Sequence, residues 1–167
     1  YLLLREFRLD PFPIWTYEVE GIEIVKRLFM VHGSNTTFCC WSILGKKSAG
    51  VRLVLKPLLS FVDYHSLQHE SASVHFDHSV EGNTISIVPR GMETILRLTH
   101  SDADLVDTGF WYKNFEYAIE KERGFDAKED LYQPFEISFD LASGPAIVSA
   151  SIGGDADFDF AASEADE

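Results

Sequence analysis

The sequence predicts a mainly β fold, an antiparallel β-sandwich with long loops and at most one short helix. Apolar and polar residues alternate along most of residues 1–152, the period of two that sends successive side chains to opposite faces of a strand. Short turns rich in Gly, Pro, Asn and Ser separate the alternating segments, as antiparallel neighbours require. No succession of helical segments of about 10–15 residues alternates with the strands, which argues against a parallel α/β sheet.

The elements follow in order. Residues 2–9 begin with an apolar run and then alternate, with Phe7 and Leu9 flanking Arg8. Pro11 and Pro13 end that ladder, because proline has no N–H to contribute. Residues 14–19 alternate again, and Glu20-Gly21 has the form of a two-residue hairpin turn. It leads into 22–31, where Ile22, Ile24, Lys26, Leu28 and Met30 share one face. Gly33-Ser34-Asn35 turns the chain into 36–44, rich in β-branched and aromatic residues and expected to be well buried. A basic, Gly-bounded loop over 45–50 brings back 51–59 as the next strand of an antiparallel meander. Residues 60–81 read as a loop with one short strand, and further strands are expected over 84–89 and 94–100 around the Arg90-Gly91 turn. Trp111, Phe115, Ala118 and Ile119 are spaced as on one face of a short amphipathic helix over 111–123, stopped by Gly124. Residues 135–141 alternate, Ser143-Gly144-Pro145 turns, and 146–152 returns.

A chain of 167 residues suits one domain of ordinary size. Its 27 acidic against 14 basic residues, a net charge of -13, disfavour any function built on phosphate neutralisation. Nucleic acid is therefore not an expected partner, whereas neutral ligands such as sugars are compatible. The charge is uneven: residues 153–167 hold six acids and no base, and removing them leaves 21 acids against 14 bases. We expect one domain over 1–152 and an acidic linker or tail over 153–167. Asp155, Asp157 and Asp159 suggest a calcium loop, but that loop needs Gly at its sixth position and Glu at its twelfth. Phe160 and Asp166 stand there. No stretch approaches the roughly 20 apolar residues of a membrane span, and no leader pattern is visible, so no membrane role is expected. The chain starts at Tyr1 rather than Met, as expected of one domain of something longer. Cys39 and Cys40 are adjacent, so on a strand they point to opposite faces; two thiols in a reducing cytoplasm are the expectation.

Four histidines crowd one region. His65 and His69 stand four apart, and His75 and His78 three apart. The acid Glu70 is misplaced for the zinc-protease pattern His-Glu-x-x-His, and spacing alone does not converge three or four ligands. Neither a metal nor a cofactor is expected. Two other stretches mix aromatic rings with carboxylates, an amide and a guanidinium: 56–65, with Asp63, Tyr64 and His65, and 112–132, with Tyr112, Asn114, Glu122, Arg123 and Asp130. Flat rings cover the apolar faces of a sugar while charged groups bond its hydroxyls. The same residue types also pair across solvated loops without any ligand.

These segments together resemble the N-terminal domain of bacterial and archaeal glycogen debranching enzymes of the amylo-1,6-glucosidase type. The similarity covers nearly all of 1–152. It runs through Gly21-Ile22-Glu23-Ile24-Val25-Lys26-Arg27-Leu28-Phe29-Met30, His32-Gly33-Ser34-Asn35-Thr36-Thr37, residues 53–65, and 112–130 with its Glu122-Arg123-Gly124 element. Val62 departs from the pattern, standing where such enzymes usually carry Arg before Asp-Tyr-His. The resemblance implies a large sandwich of the galactose-mutarotase-like (supersandwich) type preceding a separate α/α-barrel that holds the catalytic carboxylates. It implies a cytoplasmic, non-catalytic module that contacts an α-glucan (glycogen or a maltooligosaccharide) and docks on that C-terminal barrel. No acid and base spaced across a sugar can be singled out in this chain, so the isolated chain is expected to be inactive. The expected glucan-contacting residues are Asp63, Tyr64, His65 and His69 from the first loop, and Tyr112, Asn114, Glu122, Arg123 and Asp130 from the second. Two alternatives stand beside this one. One is a small epimerase-like enzyme using His65 or His69 as acid–base groups; the other is a purely structural cap on the barrel.

Overall fold

The computed structural model of the protein describes residues 2–45, 50–63, 66–153 and 160. The first meander comprises β1 (Leu4–Leu9), β2 (Pro13–Val19), β3 (Ile22–Met30) and β4 (Thr36–Leu44). Glu20 and Gly21 both adopt left-handed φ, 52° and 80°, between the paired Val19 and Ile22. This is the two-residue turn that the Glu-Gly pair announces, and its twist matches antiparallel strands. After β5 (Arg52–Leu55), a second meander comprises β6 (Phe76–Glu81), β7 (Thr84–Pro89) and β8 (Leu96–His100). β9 (Asp104–Glu116) and β10 (Lys128–Asp140) form a long hairpin with α1 (Ala118–Glu122) at its tip, and β11 (Ala146–Ile152) follows.

β11 inserts between β4 and β8. It joins the two meanders into one eight-stranded antiparallel sheet, ordered β1-β2-β3-β4-β11-β8-β7-β6, while β5, β10 and β9 form a second, three-stranded sheet. The core lies between the sheets: Phe76, Ile85, Ile87 and Leu98 from the larger meet Phe135, Ile137 and Phe139 from the smaller. A mainly antiparallel β fold built as two packed sheets is thus what the chain adopts.

Three local expectations are corrected. Residues 52–55 pair with β10, not with β4, whose free side is taken by β11. Leu53 and Leu55 pack against the shared core, and they do so from the smaller sheet. The expected helix over 111–123 is confined to Ala118–Glu122, because Trp111–Glu116 belongs to β9. There Trp111 pairs with Tyr132, their rings 5.1 Å apart, and this cross-strand contact outweighs the local helical spacing. The strands over 135–141 and 146–152 lie in different sheets, so the Ser143-Gly144-Pro145 turn is a crossing between layers and not a hairpin.

The outer face of the larger sheet is also partly covered. Phe29, Phe38 and Cys40 on β3 and β4 are buried there beneath Phe160, whose ring lies 5.4 Å from Phe29 and 5.9 Å from Phe38. The Arg27 guanidinium sits 5.1 Å from the same ring. Phe160 comes from the stretch expected to be solvated, and the apolar surface at this spot accounts for its burial; Asp155, Asp157 and Asp159 lie outside the described residues. Cys39 and Cys40 are both free thiols. Burial pushes the Cys39 thiol up, an effect that the nearby Lys26 charge opposes.

Candidate functional site

The two stretches singled out in the sequence meet at the first half of β10. β5 pairs only with Ile137–Asp140, so the edge of β10 before that point needs other partners for its N–H and C=O groups. Residues 59–70 supply them. Leu59 and Tyr132 exchange backbone hydrogen bonds at 2.8 and 3.1 Å, and the Asp130 N–H donates to the Gln68 carbonyl at 2.8 Å. The Gln68 side chain fastens the loop to itself and to β10: its amide donates to the carbonyls of Leu59 and Asp130, and its Oε1 accepts from the Phe61 N–H. Its own N–H donates to the Glu129 carboxylate, and the Tyr117 hydroxyl donates to the other Glu129 oxygen. Gln68 and Glu129 are each only 5% exposed, so these bonds satisfy polar groups that burial would otherwise penalise. The Tyr117 phenol is held above its ordinary range, first by that bond to Glu129 and then by burial.

Asp130 completes the clamp. The β9–β10 register slips between Glu129 and Leu131, a bulge, and Asn114 takes a left-handed φ of 60° on the facing strand. This turns the Asn114 N–H toward Asp130 Oδ1 at 2.9 Å, while Oδ2 accepts the Glu70 N–H at 3.0 Å. The two backbone donors hold the Asp130 carboxyl below the usual carboxylate range, with the His69 and Lys113 charges adding smaller contributions. His69 Nδ1 lies 3.8 Å from Asp130, and Lys113 is paired with Glu70.

The clamped loop walls a concavity of about 250 Å³. Phe61 and Phe76, their centroids 5.5 Å apart, give it an apolar wall, and Gln68, His69, His75 and Arg90 give it polar atoms. His75 Nε2 lies 2.9 Å from Asp77, whereas the Arg90 side chain has no ion-pair partner among the described residues. Among the described residues no three His, Cys, Asp or Glu side chains converge as metal ligands do.

The expected site residues thus separate. His69, Asn114 and Asp130 come together, although Asp130 spends both carboxylate oxygens on backbone N–H groups and Asn114 takes part through its backbone N–H. Asp63 is exposed and lines a neighbouring hollow that shares Phe61, Val62 and Met92 with the first. Tyr112 lies near the Lys56 ammonium, which Glu136 binds at 3.0 Å. Glu122 and Arg123 sit at the hairpin tip, where Arg123 pairs with Glu120 at 3.0 Å and covers the Phe125 ring at 5.1 Å. Tyr64 and His65 lie outside the described residues. Gln68, Tyr117 and Glu129 carry the clamp yet have no sequence signature, since a lone Gln in a polar run resembles any solvated side chain. Arg90 carried only a turn signal, from the Gly91 beside it.

In comparison with known families, residues 1–148 match the family described as glycogen debranching enzyme N terminal. No curated protein matches the chain.

Proposed function

The chain belongs to the glycogen debranching enzyme N-terminal family, and from that premise we propose that it is a non-catalytic module that grips the α-glucan and docks on a separate α/α-barrel catalytic domain. The observation that supports the glucan contact is the clamped concavity. Sugar recognition needs an aromatic wall for the ring's C–H face and fixed donors for its hydroxyls. Phe61, half-buried and backed by the core ring of Phe76, supplies the first, and Arg90, His69 and His75 the second. The buried Gln68–Glu129 network fastens the loop that carries Phe61 and His69, and the Arg90 N–H donates to the His75 carbonyl at 2.9 Å, so little ordering entropy is lost on binding. The carboxylates at the clamp already accept backbone and tyrosine hydrogen bonds, an arrangement suited to positioning a loop and not to an acid–base pair across a glycosidic bond.

The test is calorimetric titration of the chain with linear maltooligosaccharides. Binding is expected at millimolar ligand or below, weakened several-fold in Arg90→Ala and His75→Ala. Absence of heat at millimolar ligand would overturn the glucan contact and leave docking alone.

A further inference from the structure

The larger sheet extends well beyond the smaller one. The core between the sheets draws buried residues from β6, β7, β8 and β11, reaches β3 and β4 only through Ile24, Trp41 and Ile43 at its rim, and includes nothing from β1 or β2. Over this open half the sequence places one row of side chains across four strands. Phe7 pairs with Trp15, Trp15 with Lys26, and Lys26 with Trp41. Directly paired residues project to the same side of a sheet, and Trp41 fixes that side as the inner one. The Phe7 and Trp15 rings are 5.4 Å apart, and the Lys26 ammonium lies 4.9 Å from the Trp15 ring and 5.7 Å from the Trp41 ring. Phe7 is 52% exposed, and the other three are half-buried.

We infer that this row is a second sugar-binding surface, a stacking platform for a linear α-glucan chain. The reading rests on the glucan assignment above and adds a separate contact to it. The cation decides between a sugar and a protein partner. A protein surface laid over the row would strip water from the Lys26 ammonium, which has no carboxylate partner among the described residues, at substantial cost. Sugar hydroxyls instead accept its N–H donors while a pyranose face rests on the exposed Phe7 ring and on the half-buried indole beside it. Strands about 4.8 Å apart put Trp15 and Trp41, two strands apart, near 10 Å from each other, a span that a short stretch of one oligosaccharide covers. A neutral ligand also suffers no repulsion from a chain of net charge -13. The row begins four strand spacings from β6 at Trp41 and ends seven away at Phe7, on the order of 20–35 Å from the clamped concavity, so a long glucan meets two points of attachment.

The experiment is titration of the chain with a long linear maltooligosaccharide, read by calorimetry and by tryptophan fluorescence. Trp15→Ala is expected to weaken binding at least tenfold, and Phe7→Ala, at the exposed end, several-fold. Binding is expected to quench fluorescence in a Trp111→Phe background, which leaves only Trp15 and Trp41 to report. Thermal melts establish that each variant is folded, and Trp15→Phe, which keeps a ring, is expected to recover most of the affinity. Unchanged affinity in folded Trp15→Ala and Phe7→Ala, with loss in Arg90→Ala, would overturn the row and leave the clamped concavity standing. No binding by the unmodified chain would overturn both.

Discussion

The two halves of the eight-stranded sheet have the same strand chemistry but different neighbours. Over β11, β8, β7 and β6 the inner face meets the smaller sheet and carries Ala146, Leu98, Ile85, Ile87 and Phe76, all nearly inaccessible. Over β1 to β3 the same alternation places Phe7, Trp15 and Lys26 on a face that no second sheet covers among the described residues. Alternation therefore tells which face a residue takes but not whether that face is dry. What distinguishes the halves is residue type. Aliphatic side chains and the Phe76 ring fill the covered half, whereas Phe7, the Trp15 indole and an ammonium occupy the open one, the last two tolerating water at one end.

That contrast can be broken most forcefully at the core. Phe135, fully buried between the sheets, is expected to cost about 3–5 kcal/mol as Phe135→Ala, whereas Phe7→Ala is expected to stay within about 1 kcal/mol. Chemical denaturation of both variants measures the difference, and equal losses would mean that the open half is covered after all. The next effect is Gln68→Ala, which takes a donor from the Leu59 carbonyl, left with the Tyr132 N–H, and from the half-buried Asp130 carbonyl. A loss of about 1–3 kcal/mol is expected, with faster amide exchange confined to residues 59–70. Loss of protection spread over β1–β4 would show that the clamp supports more than its own end.

A smaller effect follows from pH. The Asp130 carboxyl is held below its ordinary value by the Glu70 and Asn114 N–H groups. Its contribution to stability is therefore complete above the ordinary aspartate range of about 3.9 and disappears as pH falls through the lower folded value. The Glu70 and Asn114 amide shifts should titrate together with a midpoint below about 3.9, and Asp130→Asn should abolish that titration. The stability difference between Asp130→Asn and the unmodified chain should close in acid. The least effect is expected at the hairpin tip. Arg123→Ala breaks an exposed pair with Glu120 and should move the melting free energy by no more than about 0.5 kcal/mol.

Much of the fold was legible because its signals are local. Glu20-Gly21 fixes its own turn, and the spans of β4, β7 and β11 coincide with the alternation that marks them. What was not legible depends on partners distant in sequence. Nothing near 52–55 tells that Leu53 and Leu55 meet the core from the smaller sheet, and Trp111 has a helical neighbourhood until Tyr132 pairs with it. The site divides in the same way. His69 and Asp130 could be picked as polar loop residues, yet Asp130 spends both carboxylate oxygens on backbone donors some 60 and 16 residues away. Trp15, Lys26 and Trp41 looked like ordinary strand residues, since only the register brings them into one row.

The insertion of β11 between β4 and β8 sets a condition on synthesis. As the chain leaves the ribosome, β1–β4 can form a meander, and so can β6–β8, but neither can join the other until residues 146–152 emerge. Until then both β4 and β8 present bare edges to solvent and to other chains. Pairing Trp41 with Ala146 must also close a loop of about a hundred residues, a non-local step that slows folding. The strand that unifies the sheet is thus the last of the eleven to be made, and the nascent protein is most prone to self-association just before it appears.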